Sequence, residues 1–190
     1  MDSATPPPAR WRRDAARTRA RILAAAQQAF AERGYGQAGI RAIAALAGVN
    51  SAMLLRYFGS KAGLFEAALI DAIPQFEGLD LAHDGFGARL TAQYLAGSLD
   101  LRAQAMIALS SSDPEARMIA ARVMEEHGIK PLADWLGPPN ARTRAVRMTM
   151  LSTAFMLYTR QVPLMPPDAA VDSDTAAWLA RSLQAIIDER

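Results

Sequence analysis

Nine residues in the first third of the chain are of types that touch nucleic acid: Thr18, Arg41, Asn50, Ser51, Ala52, Met53, Arg56, Tyr57 and Lys61. Six of them fall within residues 50–57, so a helix there carries them at its start and on its exposed side. Arg56 can make a bidentate contact to guanine or grip a phosphate. Ser51 and Asn50 offer short polar reach, and Ala52 and Met53 can pack on thymine methyl groups. Tyr57 and Lys61 suit phosphate, and Arg41, just upstream, suits phosphate or a base edge. Thr18 lies beside Arg19, where a hydroxyl and a guanidinium can hold phosphate together. The alternative is the solvent face of a small helix.

No other chemistry finds comparable residues. There is no cysteine, which excludes disulfides and thiol chemistry and fits a reducing compartment. His83 and His127 stand alone, without metal-ligand spacing, so neither a metal nor another cofactor is expected. Glu125 and Glu126 are adjacent and diverge on a helix, which fits a solvated face better than an acid–base pair. Gly-rich phosphate loops and nucleophile elbows are missing. The chain is not expected to be an enzyme.

The candidate DNA-contacting residues need a scaffold, and residues 40–61 supply its pattern. Ile40, Ile43, Ala44 and Ala47 share one helical face, and Leu54 and Phe58 share another. Gly48 relieves the turn between them and Asn50 is a good N-cap. That is the pattern of a helix-turn-helix with an aliphatic anchor in its second helix. Ahead of it, residues 14–33 read as a helix with Ile22, Leu23, Ala26, Ala29 and Phe30 on one stripe, ended by Gly34. Gly39 is a weak cap for the second helix. Behind it, Ser60 caps a fourth helix running from Lys61 to about Ile73, where Pro74 stops it. Residues 1–13, with Pro6-Pro7-Pro8 and Arg10-Trp11-Arg12-Arg13, read as a disordered basic arm able to lie along phosphates or enter the minor groove.

The motifs Thr18-Arg-Ala-Arg-Ile-Leu-Ala-Ala-Ala, Phe30-Ala-Glu-Arg-Gly-Tyr35, Ile40-Arg-Ala-Ile-Ala44, Ala47-Gly-Val49 and Tyr57-Phe-Gly-Ser-Lys61, with Leu64-Phe65, together resemble the tetracycline-repressor (TetR) family. The likeness covers about residues 17–69. It implies an all-helical homodimer with a DNA-reading head and a larger body that binds a ligand and dimerises. Most members of that family are repressors released from DNA by a small molecule. Two positions depart from its pattern. Leu55 stands where a tyrosine is frequent, and Ala38-Gly39 stands where a capped Thr/Ser pair is frequent, so two hydroxyl contacts to phosphate are not expected here. The arginine-rich arm could replace them.

Charge is distributed accordingly. Residues 1–61 hold ten basic and three acidic residues, a balance of +7, whereas the remainder balances at −5. A basic head on a mildly acidic body fits a polyanion partner. The longest uncharged runs, 42–55 and 148–159, fall short of the roughly 20 apolar residues that span a bilayer. With no signal-like segment before residue 22, a cytoplasmic protein with no membrane association is expected.

In the body, residues 86–99, 101–109 and 113–127 read as helices. Asp113-Pro114-Glu115 is a strong start signal, and Gly128 marks a kink or stop. Pro131 opens a short segment to Leu136, and Gly137-Pro-Pro-Asn140 is a turn. Residues 141–162 form the most apolar helix, and residues 174–188 form the last. These final two helices are expected to build a four-helix dimer interface through Met148, Leu151, Phe155, Trp178, Leu179, Leu183, Ile186 and Ile187. Methionines give an adaptable apolar interior, and the resemblance implies a pocket in this body. Phe86, Tyr94, Met106, Met118, Met124, Trp135, Met150, Phe155 and Tyr158 are its candidate lining for a small hydrophobic effector.

The reading is an all-α fold: an arm (1–13), a three-helix helix-turn-helix head (14–60) and a helical ligand-binding and dimerisation body (61–190). The expected function is a dimeric repressor on a palindromic operator of double-stranded DNA, released by a small hydrophobic ligand. The alternatives are an effector-independent regulator or activator, or a helical small-molecule-binding protein without DNA binding.

Overall fold

A computed structural model describes residues 9–73, 81–97, 102–162, 164 and 171–189. Within them every regular element is a helix. The order is α1 (Ala9–Gln37), α2 (Ile40–Leu46), α3 (Ser51–Phe58), α4 (Lys61–Ala72), α5 (Phe86–Ala96), α6 (Arg102–Ser110), α7 (Pro114–Met124), α8 (Lys130–Leu136), α9 (Ala141–Met156) and α10 (Ser173–Asp188).

Local signals explain the starts of four of these helices. The side chains of Asn50, Ser60, Asp113 and Asp172 each accept a hydrogen bond from a backbone N–H in the first turn of α3, α4, α7 and α10, satisfying donors that a helix start leaves orphaned. Gly39 caps α2 without a side-chain bond. Within α1 the helix breaks at Gly34, with φ +70°. A Cβ there would lie 2.5 Å from the Leu109 carbonyl oxygen at the end of α6. Gly34 therefore answers two demands, a left-handed backbone and a close approach to the body.

Two expectations change. Residues 9–13 are helical, so Arg10-Trp11-Arg12-Arg13 belongs to α1 rather than to a flexible arm; alanine and arginine are strong helix formers, and extending an existing helix requires no new nucleus. Residues 1–8, Pro74, most of the loop that follows it and most of residues 163–170 lie outside the described residues. Of the two alternatives at Gly128, a kink or a stop, the stop does not occur. A π-helical turn at Glu125–Ile129 joins α7 to α8, with the Lys130 N–H donating to the carbonyl of Glu125 five residues back. Pro131 has no N–H for the usual bond, and the wider turn redistributes the carbonyls around it. A second π-helical turn, Leu157–Gln161, extends α9.

Two apolar cores form. The first joins Ile22, Leu23, Ala26 and Phe30 of α1 to Leu54 of α3, Leu64, Phe65 and Leu69 of α4, Met106 of α6, and Ile119 and Val123 of α7. The second gathers Phe86, Leu132, Leu136, Met148, Phe155, Leu179 and Leu183 from α5, α8, α9 and α10. The head thus shares its core with α4, α6 and α7, and the apolar core is continuous across residues 60 and 61. In the second core α5 crosses α10 closely: a Cβ on Gly87 would lie 2.2 Å from the Ala180 carbonyl oxygen.

Candidate nucleic-acid interface

The head is a small core with a basic outer surface. α2 buries Ile43 and Ala44, and α3 buries Leu54 completely. The turn between them is closed by the Gly48 N–H on the Ala45 carbonyl (3.1 Å) and the Val49 N–H on the Ala44 carbonyl (2.9 Å). That fixes which side of α3 faces outward: Ala52, Leu55 and Arg56 are exposed, and Ser51 and Met53 are half-buried at the edges. Leu55 is 40 % exposed and stands between Ala52 and Arg56, where an aliphatic side chain can meet a thymine methyl. Its neighbours' periodicity, which leaves the residue beside the Leu54 anchor pointing outward, is the signal that assigns it to this face.

The nine predicted residues separate into those with free polar atoms and those already engaged. Arg41 and Arg56 are exposed. Thr18 is half-buried near the end of α1 that approaches α3. Asn50 is exposed, but its Oδ1 accepts from the Met53 N–H at 2.7 Å, so the oxygen holds the cap and the amide nitrogen is left for a ligand. The Tyr57 hydroxyl donates to the Ala15 carbonyl at 3.5 Å, tying α3 to α1. The Lys61 Nζ lies 4.6 Å from the Tyr35 ring centroid and donates to the Gly36 carbonyl at 3.4 Å. Lys61 is therefore anchored on its own head rather than reaching freely for phosphate.

Electrostatics distinguish the two ends of the molecule. In the body, Arg122 pairs with Glu66, Lys130 with Glu126, Arg142 with Glu125 and Arg147 with Glu189. In the head, Arg13, Arg17, Arg19, Arg21, Arg33, Arg41 and Arg56 make no ion pair among the described residues. Arg19 instead stacks its guanidinium 5.6 Å from the Phe58 ring centroid. Like charges that outnumber the acids of the head repel one another, and a polyanion relieves that repulsion.

Behind the interface, Tyr35 is 5 % exposed, with its ring 6.0 Å from that of Phe30 and 5.2 Å from that of Phe65. Burial, together with the neighbouring Glu115 carboxylate, pushes its hydroxyl well above the ordinary tyrosine value, so it stays protonated and donates to Glu115.

The predicted effector set is not gathered around one space. Phe86 and Trp135 touch, with ring centroids 4.6 Å apart, and Tyr94 and Phe155 lie 6.2 Å apart in the same core. Burial pushes the Tyr94 hydroxyl up to about 12, against a hydrogen bond with Ser152 that lowers it. Met106, however, is buried in the other core, and Met124 packs at that core's edge. Met118, Met150 and Tyr158 are 69 %, 66 % and 46 % exposed. Helical spacing placed these residues on helices but did not determine which face met the protein. An open groove of about 670 Å³ runs between α1, the end of α2 and the start of α6, bounded by Arg21, Gln28, Glu32, Leu46 and Arg102; none of the predicted effector residues lines it.

The dimer set needs a similar correction. Met148, Phe155, Leu179, Leu183 and Ile187 are buried inside the protomer's own second core and are unavailable to a partner. The last two helices turn their most apolar stripes toward α5 and α8, leaving Trp178 exposed and Leu151 and Ile186 half-buried. Met150 and Tyr158 join them as exposed apolar groups of this region.

Residues 22–68 match the family model described as bacterial regulatory proteins, tetR family, and residues 84–187 match the tetracyclin repressor-like C-terminal domain. The chain belongs to the TetR family. Its fold is shared with solved TetR-family structures. A TetR-family regulator from Streptomyces coelicolor A3 is 28 % identical with a TM-score of 0.51, over 92 % of this chain and 96 % of that one. NalD from Pseudomonas aeruginosa, the secondary repressor of the MexAB-OprM multidrug efflux pump, is 21 % identical with a TM-score of 0.62, over 90 % and 95 %. A TetR transcriptional regulator from Rhodococcus sp. RHA1 is 22 % identical with a TM-score of 0.57, over 91 % and 99 %. No curated protein sequence matches the chain. This TetR-family chain is a DNA-binding transcriptional regulator with an N-terminal helix-turn-helix and a C-terminal helical body. Among the described residues, no helix is long and apolar enough to cross a membrane.

Proposed function

We propose that the chain is a repressor that binds a two-fold-symmetric operator as a homodimer and leaves it when a small hydrophobic molecule enters the body. The observation that carries the DNA half of this reading is the exposed Arg56 on the outward face of α3, in a head whose seven described arginines make no ion pair among the described residues. On DNA, α3 lies in the major groove, with Arg56 on a base edge or phosphate, Ala52, Leu55 and Met53 on methyl groups, and Arg41 and Thr18 on the backbone. Exposed Trp178, Met150 and Tyr158 support a homodimer through α9 and α10, because aromatic residues and methionine are enriched in the buried centres of interfaces.

Release by an effector is supported by the aromatic second core, where Phe86 meets Trp135 and Phe155 lies beside Tyr94, whose hydroxyl shares a hydrogen bond with Ser152. An effector acts by binding one arrangement of the body better than another, so its differential affinity sets how far the heads move. A second reading, a regulator without an effector, is favoured by the scatter of Met118 and Met150 onto the surface. The test is recovery of genomic fragments bound by the purified protein, followed by a screen of hydrophobic compounds for release. Fragments sharing a two-fold motif, displaced by at least one compound, are expected. Fragments without a common motif would overturn the operator reading, and a motif that no compound displaces would favour the second.

A further inference from the structure

The DNA-reading unit is attached to the protein at its two ends, and both ends meet on Tyr35. The chain enters α2 through residues 34–39, and it leaves α3 through Gly59 and Ser60 into Lys61. Tyr35 belongs to the entrance. Lys61 belongs to the exit, with its ammonium over the Tyr35 ring at 4.6 Å and 3.4 Å from the Gly36 carbonyl. Tyr35 is held in turn by the body. Its backbone N–H donates to the buried Ser110 Oγ at 2.9 Å, at the end of α6, and its hydroxyl donates to Glu115 in the first turn of α7. Beside it, the Gly34 kink lies directly against the Leu109 carbonyl. The Tyr35 ring is enclosed by Phe30 and Phe65, so the residue is too deeply buried to touch DNA itself.

We propose that Tyr35 is the positioning residue through which the turn between α6 and α7 sets the orientation of the helix-turn-helix. A shift of Ser110 and Glu115 acts on the entrance to α2 directly and on the exit from α3 through Lys61, so both ends of the reading unit move together. Arg122 and Glu66 also join α7 to α4, but at the surface and more than one turn beyond Lys61 along α4. Theirs is a separate contact that leaves Tyr35 in place. The inference rests on the DNA-binding reading above.

The test measures affinity for a duplex that the parent protein selects from random-sequence DNA, with thermal midpoint and helical content recorded for every variant. Tyr35→Phe removes one hydroxyl and keeps the packed ring. It and Glu115→Ala are each expected to change the dissociation constant by about threefold or more, and their combination is expected to do no more than the larger single change. Glu115→Gln, which still accepts a hydrogen bond, and Arg122→Ala, which removes the separate surface pair, are expected to stay within about twofold of the parent. Parent-like binding by Tyr35→Phe and Glu115→Ala would overturn the proposal. So would effects that multiply in the double variant, or an equal loss in Arg122→Ala, which would reduce the result to general loosening. If the parent selects no sequence at all, the DNA-binding reading falls and this inference falls with it. If the parent selects a sequence and the variants match it, only this inference falls.

Discussion

Arg144, in the first turn of α9, donates through Nε to the carbonyl of Ile186, near the end of α10, at 2.8 Å. The same guanidinium donates to the Ile187 carbonyl and to the carbonyls of Gly137 (3.0 Å) and Pro139 (3.2 Å). It is 2 % exposed, and its partners are carbonyl oxygens around the C-terminal ends of α8 and α10. Those ends carry partial negative charge and unsatisfied acceptors. One planar fork meets both needs, and it locks three helices of the second core together.

Arg144→Met keeps the bulk of the side chain and leaves those carbonyls without a donor. Unfolding in urea should show a loss of at least about 2 kcal/mol, since each stranded acceptor costs about 1–3 kcal/mol. Arg144→Lys should rescue little of it, because a single ammonium lacks the fork that reaches several carbonyls at once. A parent-like midpoint for either variant would mean that water replaces the guanidinium.

Asn50 separates capping from recognition. Asn50→Ala removes the acceptor for the Met53 N–H and should lower stability by about 1 kcal/mol. Asn50→Asp keeps the cap but places a carboxylate where DNA phosphates approach. Calorimetric stability near that of the parent, with operator affinity down by about tenfold, corresponding to about 1.4 kcal/mol, is the expected pair of results.

Trp178→Glu and Met150→Glu place charge on the exposed apolar part of α9 and α10. Sedimentation at micromolar concentration should shift from dimer toward monomer while helical content is retained. Unchanged sedimentation would move the interface to another face.

Tyr94 predicts how stability responds to alkali. Its folded-state value is about 12 against an ordinary 10.0, so its stabilising effect is fully present below pH 10 and is lost as the pH rises toward 12. Tyr94→Phe should flatten that part of the pH dependence of unfolding, and an unchanged slope would assign it to other groups.

Much of the head was legible in the sequence because its signals are local. Asn50 and Ser60 cap helices wherever they fold, as Asp113 does in the body, and Gly34 marks a position where only glycine suits both backbone and neighbour. What the sequence did not reveal depends on distant partners. An arginine such as Arg144 is ordinarily solvated, and only the meeting of α8 and α10 makes its burial favourable. In α9, apolar residues occupy several faces, so periodicity alone did not separate buried Met148 from exposed Met150. The π-helical turn near Pro131 depends on α8 continuing the helix instead of stopping at Gly128. Lys61 carries the right charge for phosphate, yet the Tyr35 ring holds it.

The most direct test of the central claim, that the outward face of α3 reads DNA, is salt-titrated binding of the parent and of Arg56→Ala to the selected duplex. The parent should lose affinity steeply as salt rises, and Arg56→Ala should bind more weakly by about 1–3 kcal/mol with its dimer intact. Affinity indifferent to salt, or an Arg56→Ala variant that binds like the parent, would contradict it.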